Sequence, residues 1–576
     1  MQEKIKNLIN EALKNLEIEK IDFVVEHPED LKNGDYSTNV AMVCAKNLKT
    51  NSKELAEKIV ASLLTLHKGE VGRGYIQEIQ VAGAGFINFY LSREFFANSI
   101  EEILEHANTW GKNSLVKGKK IMVEYTDPNP FKPFHIGHLM TNAIGESIAR
   151  IFENSGAEVS RANYQGDVGL HVAKAIYALL SDAETYIVRK QSISEQALFI
   201  GQAYSKASEL YEADPKAKEE IDAINKKVYD KSDEKINEIY DWGFKVTMEA
   251  FEDLYKILGT KFDYYFLESE EAIVGTNIVR ENTGRVFEKS DGAVVFKAEK
   301  YDPKLHTRVF LTSAGLPTYE AKELGLAMEK FETIPDMDLS ITITAQEQEE
   351  YMKVVYKALS LIHSEYEKSM THIAHGMMRF GKSSVGKMSS RKGNVVTGES
   401  LIRDTQAMVA KKMRDRGFSG EENEKISAEV AVAALKYSIL RQSLGGDIIF
   451  DLEKSLSFEG DSGPYLQYSA IRAQSILGKA GGSNDFSKFP ENISNIEKIL
   501  YRFPEISARA YQDREPHHIA TYLTELASSF NSFYANTQIL NAEDGYSAYY
   551  VAITRAFFTT MKAGLHLLGI KVPEKM

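Results

Sequence analysis

The sequence predicts an α/β protein: a doubly wound parallel sheet preceded by a small α+β domain and followed by an all-α helical bundle. Three observations carry this expectation. Strand, helix and strand follow one another from "KIMVEYT" (120–126) through the helix ending at Gly156 to "AEVSRANYQGDVG". That βαβ order demands parallel strands. The first 110 or so residues instead mix helices with paired strands, and past about residue 405 nearly every segment has helical periodicity.

The expected domains are 1–112, 113–405 and 406–576, a division that suits a chain of 576 residues. In the first, the amphipathic "MQEKIKNLINEALKNLEIEK" and "SKELAEKIVASLLTL" are helices. "YIQEIQVAG" and "FINFYLS" are strands punctuated by Gly83 and Gly85. The second carries an insertion over about 185–305: charged helices to about 260, then a hairpin in "VFEKSDGAVVF" with an Asp-Gly turn. "LPTYEAKELGLAMEKF" returns to helix, and "DLSITITAQEQEEYMKVVYKAL" gives a buried strand feeding another helix. In the third, aromatic residues recur at helical spacing and read as bundle core.

Composition narrows the class. No apolar run approaches the roughly 20 residues needed to cross a bilayer, and the first residues lack a signal-peptide core. The single cysteine, Cys44, excludes internal disulfides and thiolate-rich zinc sites. A cytoplasmic protein without membrane partner is expected. With 69 basic and 82 acidic residues, the net charge of −13 does not suit a general DNA binder, although a local basic surface could still hold phosphates.

Chemistry concentrates in two segments. "FKPFHIGHLM" places His135 and His138 around Gly137 just beyond a strand, where ligands sit in such sheets. Gly137 leaves backbone exposed for a flat purine, helix amides add partial positive charge, and two imidazoles can donate to an α-phosphate. Alone, this pair reads better as two structural histidines, and no third ligand for zinc lies nearby. About 250 residues later, "GKMSSRKGNVVTGESL" offers Lys387, Met388, Ser389, Ser390, Arg391 and Lys392 between glycines, a mobile grip for polyphosphate.

In that order the two segments resemble the class I aminoacyl-tRNA synthetases, with HIGH intact and "KMSSR" in place of K-M-S-K-S. The second lysine of that loop is Ser390 here; Lys132, three residues before His135, matches the lysine that arginyl enzymes carry instead. "VEYTDPNPFKPFHIGHL" is similar to the arginyl family's V-E-F/Y-S-S-P-N-x-x-K-P-x-H-x-G-H-L, with Thr126 and Asp127 replacing two serines. "NYQGDVGLH" resembles N-x-x-G-D-W-G-x-Q with Val168 for tryptophan. "SFEGDSGPYLQYSAIRAQSI" and "LLGIKVPEKM" resemble the family's helical anticodon-binding domain, while "GDYSTNVAM" and "GAGFINFYLS" resemble its tRNA-elbow domain.

The resemblance implies a class I Rossmann-type arginine–tRNA ligase that uses ATP with Mg²⁺ held by the phosphates, and that needs tRNA(Arg) before activating L-arginine. A monomer is expected. His135, His138, Lys132, Lys387, Arg391 and Lys392 are the implied catalytic set; Gly137, Met388, Ser389 and Ser390 join the histidines around ATP. The implied arginine ligands are Glu124, Asn129, Tyr319, Glu323, Gln348 and Asp167. A planar guanidinium calls for a carboxylate with two parallel hydrogen bonds, and Glu323 stands one methylene longer than the family's aspartate. A helix-face glutamate and a tight-turn aspartate are the competing readings of Glu323 and Asp167. "KKMRDRG" (Lys411, Lys412, Arg414, Arg416) is either a tRNA track or a solvated helix end. Two other functions compete: a different HIGH-bearing nucleotidyl transferase, and a non-catalytic paralogue that only binds tRNA.

Overall fold

A computed structural model of the chain describes residues 1–66, 74–381, 396–414, 417–480 and 486–576. The chain divides into two compact units, one of residues 1–112, 468–507 and 522–563, the other of 113–467, 508–521 and 564–576.

In the first unit, β1 (Val25–Glu26), β2 (Tyr36–Thr38), β3 (Ile76–Ala82) and β4 (Phe86–Leu91) form an antiparallel sheet in the order β1-β2-β4-β3. The helices Gln2–Asn15 and Ser52–Leu66 bury Ile5, Ile9, Leu55 and Ile59 in one core with Tyr36 and Phe89. The C-terminal portion of this unit is helical, and several of its aromatic residues are core: Phe530 and Phe557 stack at 3.8 Å and are fully buried, whereas Tyr534 is exposed. Polar side chains join the two portions. Glu505 accepts from the Tyr36 hydroxyl (2.7 Å) and meets His27 Nε2 at 3.0 Å, while Arg93 pairs with Glu497 at 2.7 Å.

The second unit holds β5 (Lys120–Glu124), β6 (Glu158–Gln165), β7 (Tyr264–Leu267), β8 (Glu288–Ser290), β9 (Ala293–Phe296), β10 (Arg308–Leu311), β11 (Leu339–Ala345) and β12 (Met370–His375). Strands β12-β11-β5-β6-β7 form one parallel sheet. Ile121, Met122 and Val123 of β5 are at most 2% exposed, as a central strand covered on both faces requires. The chain runs outward from β5 through β6 and β7, then returns on the other side of β5 as β11. The order therefore reverses between β5 and β11, and the crevice beyond their carboxyl ends is where such sheets bind ligands.

The insertion is helical over Ile193–Ala213, Pro215–Asp230 and Glu234–Leu258. The expected hairpin is β8–β9; Asp291 and Gly292 both have positive φ (49° and 79°), the geometry of a two-residue type I′ turn. Two short strands not expected from the sequence, β13 (Met378–Phe380) and β14 (Ile448–Phe450), pair in parallel. Among the described residues no helix is long and apolar enough to cross a membrane.

Candidate active site

The site begins where β5 ends at Glu124, two residues short of the expected Thr126. Thr126, Asp127 and Phe131 all have positive φ (83°, 47° and 65°), so extended pairing stops. Such a conformation is costly for side-chain-bearing residues, above all a β-branched one, and persists only where the surroundings impose it. Here Thr126 Oγ1 accepts from Asn142 Nδ2 (3.0 Å), and the Phe131 ring is fully buried against Gly243.

The histidines follow. His135 is the N-cap of helix Ile136–Asn154, and His138 lies in its first turn. Their rings stack at 3.4 Å, with Gly137 alongside the His135 ring. The His135 backbone N–H donates to His138 Nδ1 (3.3 Å), so a neutral His138 carries its proton on Nε2. Burial, then Lys132, pulls His135 down to about 4; burial, then His135 and Lys132, pulls His138 well below the ordinary range. Both are therefore neutral donors near pH 7. Lys132 Nζ lies 5.5 Å from the Tyr204 ring centre, and burial lowers its pKa while Glu268 opposes that.

Lys387, Met388, Ser389, Ser390, Arg391 and Lys392 lie outside the described residues, as does Arg416. The chain immediately after that loop is described: the Gly398 N–H donates to the Phe134 carbonyl at 2.8 Å. A Cβ on Gly398 would come within 2.8 Å of the His135 carbonyl oxygen. Gly398 thus abuts the histidine turn. Lys411, Lys412 and Arg414 are exposed around the end of helix Gly398–Met413.

A second group of side chains is acidic. Helices Glu268–Glu281 and Tyr319–Thr333 touch through Gly275 and Gly325; a Cβ on Gly325 would stand 2.3 Å from the Glu271 carbonyl oxygen. This contact brings Glu271 and Glu323 within electrostatic reach. Glu323 accepts from the Tyr351 hydroxyl (3.3 Å), which also donates to Gln348 (3.2 Å), so Tyr351 joins two of the expected residues. Burial, with Glu268 adding to it, raises Glu323 to about 7, and burial with Glu329 and Glu270 raises Glu271 to about 8. Glu271 is 1% exposed and its Oε2 has no hydrogen-bond partner; the Tyr164 hydroxyl is likewise buried and unpartnered.

The other expected residues take different positions. Glu124 is 2% exposed and pairs with Lys330, itself pulled down to about 7 by burial. Asn129 lies against Gly166, where a Cβ would come within 2.1 Å of its Oδ1 and 3.2 Å of Glu268 Oε2. Asp167 is buried, accepting from the Ser269 N–H (2.9 Å) and hydroxyl (2.7 Å) and from the Tyr240 hydroxyl (3.0 Å). Tyr319 is 70% exposed, with the Lys322 ammonium 5.3 Å from its ring centre, and Lys322 pairs with Glu268. Sequence reasoning missed Lys330, Tyr351, Lys322, Glu268 and Glu271. The available signal was spacing: Tyr351 is one turn from Gln348, and Lys330 two turns from Glu323. Among the described residues no group of three or more His, Cys, Asp or Glu side chains is arranged to hold a metal ion.

A parallel sheet that reverses its strand order beside an imidazole-bearing helix mouth is the architecture of a class I tRNA synthetase catalytic domain, and the family comparisons agree. Residues 99–452 match the model of the class I (R) tRNA synthetase catalytic domain, residues 466–576 that of the DALR anticodon binding domain, and residues 3–91 that of the arginyl-tRNA synthetase N-terminal domain. Arginine–tRNA ligases of Clostridium beijerinckii and Halothermothrix orenii are 31% and 28% identical over 582 and 585 residues, covering 100% of this chain and 99% of theirs. The Thermus thermophilus arginyl-tRNA synthetase structure has the same fold, with a TM-score of 0.79 at 24% identity over 100% of both chains. The chain belongs to the arginyl-tRNA synthetases, a family of arginine–tRNA ligases.

Proposed function

We infer that this chain activates L-arginine with ATP and transfers it to the 3′-terminal ribose of tRNA(Arg). The observation that carries the reading is the pairing, in the domain built on one switch point, of neutral imidazole donors with a cluster of carboxyl side chains around Glu323. The arginine carboxylate attacks the α-phosphate in line, pyrophosphate leaves, and a ribose hydroxyl then displaces AMP from the arginyl-adenylate. No side-chain nucleophile is required; positioning and electrostatic stabilisation supply the rate.

His138 donates through Nε2 and His135 through its neutral ring to the phosphate oxygens, with charge added by Lys132 and by Lys387, Arg391 and Lys392. Gly137, Met388, Ser389 and Ser390 border the nucleotide. Mg²⁺ arrives on the ATP phosphates, where it neutralises their charge. Glu124 and Asn129 hold the ammonium and carboxylate end of arginine, and Glu323 its guanidinium. Gln348 and Tyr319 complete the pocket, and Asp167 orders its wall through Ser269. In this reading the catalytic domain is 113–405, flanked by tRNA-binding domains over 1–112 and 406–576. The enzyme acts as a cytoplasmic monomer and needs bound tRNA to activate arginine.

The test is ATP–pyrophosphate exchange and aminoacylation across the twenty amino acids, with and without tRNA. Arginine alone should be charged, and exchange should require tRNA. Tight tRNA binding without charging of any amino acid would assign the chain to the non-catalytic alternative. In Lys132→Ala, activation should fall severely; normal activation would remove Lys132 from the phosphate site.

A further inference from the structure

Three departures from the resembled motifs lie beside the site, and two have packing explanations. Thr126 is held by Asn142, which in turn accepts from the Thr260 hydroxyl (3.0 Å). Val168 is 5% exposed and packs in one apolar cluster with Phe131, Val172 and Ile200. Asp127 is accounted for only in part. Its Oδ1 accepts from the Tyr164 N–H (2.8 Å), and its Oδ2 has no hydrogen bond among the described residues. The φ of 47° turns the chain out of the strand at this residue, and its carboxyl stands within electrostatic reach of Glu323.

The charges around it are unbalanced. Glu323 faces both Asp127 and Tyr164, and Glu268 and Glu271 also face Tyr164. Glu268 and Glu320 face Glu323, and Glu270, Glu329 and Glu332 face Glu271. Tyr255, Tyr351 and Tyr356 line the same carboxylates. Of the nearby lysines, Lys322 is paired with Glu268 and Lys330 with Glu124. Lys132 lies on the histidine side, within reach of Glu268. Two buried polar atoms, Glu271 Oε2 and the Tyr164 hydroxyl, lack partners beside this group of carboxyls, whose ionised forms the surrounding side chains do not neutralise. An incoming cation would supply what is missing.

We propose that Asp127 is a second carboxylate of the arginine pocket, acting with Glu323 to receive the substrate's positive charge at a position where the resembled motif has serine. This rests on the arginine-ligation reading and deepens it. Burial and, more weakly, Glu323 raise Asp127 to about 8, against the Tyr164 N–H that lowers it. A carboxyl so raised is largely protonated in the substrate-free enzyme at neutral pH. A guanidinium stabilises its ionised form, so arginine binding should release a proton and strengthen as pH rises from 6 to 8.5.

The test uses the full chain. Asp127→Asn keeps an Oδ1 acceptor for the Tyr164 N–H and removes only the charge. It should raise the arginine KM, and the arginine Kd measured by calorimetry, by about tenfold to a hundredfold, the usual effect of losing a charged hydrogen bond. The ATP KM should stay within about twofold, and proton release should diminish across buffers of different ionisation enthalpy. Asp127→Ser should match Asp127→Asn in arginine affinity. If both variants fold and keep the wild-type arginine KM and pH profile while Glu323→Gln weakens arginine, the proposal is overturned and the ligation reading stands. If the wild type charges no arginine at all, both are overturned.

Discussion

Two sets of half-buried or buried carboxylates in this chain behave in opposite ways. In the first unit Glu505 is surrounded by donors: His27, the Tyr36 hydroxyl and the Gln2 N–H at 3.2 Å. Burial alone would raise its pKa, but the hydrogen bond and charge of His27 and the bond from Tyr36 hold it at about 2. In the second unit Asp127, Glu271 and Glu323 are raised to about 8, 8 and 7. Burial pushes the carboxyls of both sets upward; the supply of donors differs. A carboxylate whose partners come from its own chain is part of the architecture, and one whose partners are missing is poised for a cation from outside.

The sharpest way to break the comparison is at Glu505. Glu505→Ala should lower the unfolding free energy by roughly 3–5 kcal/mol, because it strips His27, Tyr36 and the Gln2 N–H of the largely buried carboxylate they share. Urea unfolding measures this, and the arginine KM should not move. In the catalytic unit the balance reverses. Glu323→Gln should weaken arginine by about 2–3 kcal/mol in transition-state terms, read from kcat/KM, and should leave stability nearly unchanged. A large loss of stability there would make Glu323 architecture as well.

The histidine turn differs from both sets. His138→Ala should lower kcat by roughly 100- to 1,000-fold, about 2.7–4 kcal/mol, because its hydrogen bonds strengthen as charge builds on the phosphate. A change confined to the arginine KM would place His138 away from the reacting phosphate.

A fourth contrast is in pH. Glu505 sits below its ordinary 4.5, so its stabilisation is full above about 4.5 and is lost as pH falls through 2. Asp127 and Glu271 sit above their ordinary 3.8 and 4.5, so the substrate-free protein is favoured below those values and loses that part as pH rises through 8. The loss is at most about 1.4 kcal/mol per pH unit for each carboxyl. Urea unfolding at pH 5.5, 7 and 8.5 should show stability falling, and saturating arginine should flatten the fall.

Much of this molecule was readable from local pattern. The β5 run "KIMVE", the Asp-Gly hairpin and the histidines at a helix mouth each follow from spacing or turn chemistry, which need only neighbours in sequence. Strand β5 stopped early because Thr126 and Asp127 take left-handed conformations, and neither residue type announces that. Lys330 on Glu124 and Tyr351 between Glu323 and Gln348 depend on how helices pack on the sheet, over as much as 206 residues of chain in the first case. Glu505 is the extreme, meeting His27 across 478 residues and the Gln2 N–H across 503. Nothing in "RFPEISARA" distinguishes that glutamate from a solvated one.

The claim that the second set of carboxylates awaits a cation is tested most directly by calorimetry of the whole enzyme with arginine and with citrulline, its neutral isostere, at pH 7.5. The account predicts that arginine binds with proton release and that citrulline binds at least about tenfold more weakly, without it. Equal affinities with no proton release from either would contradict it.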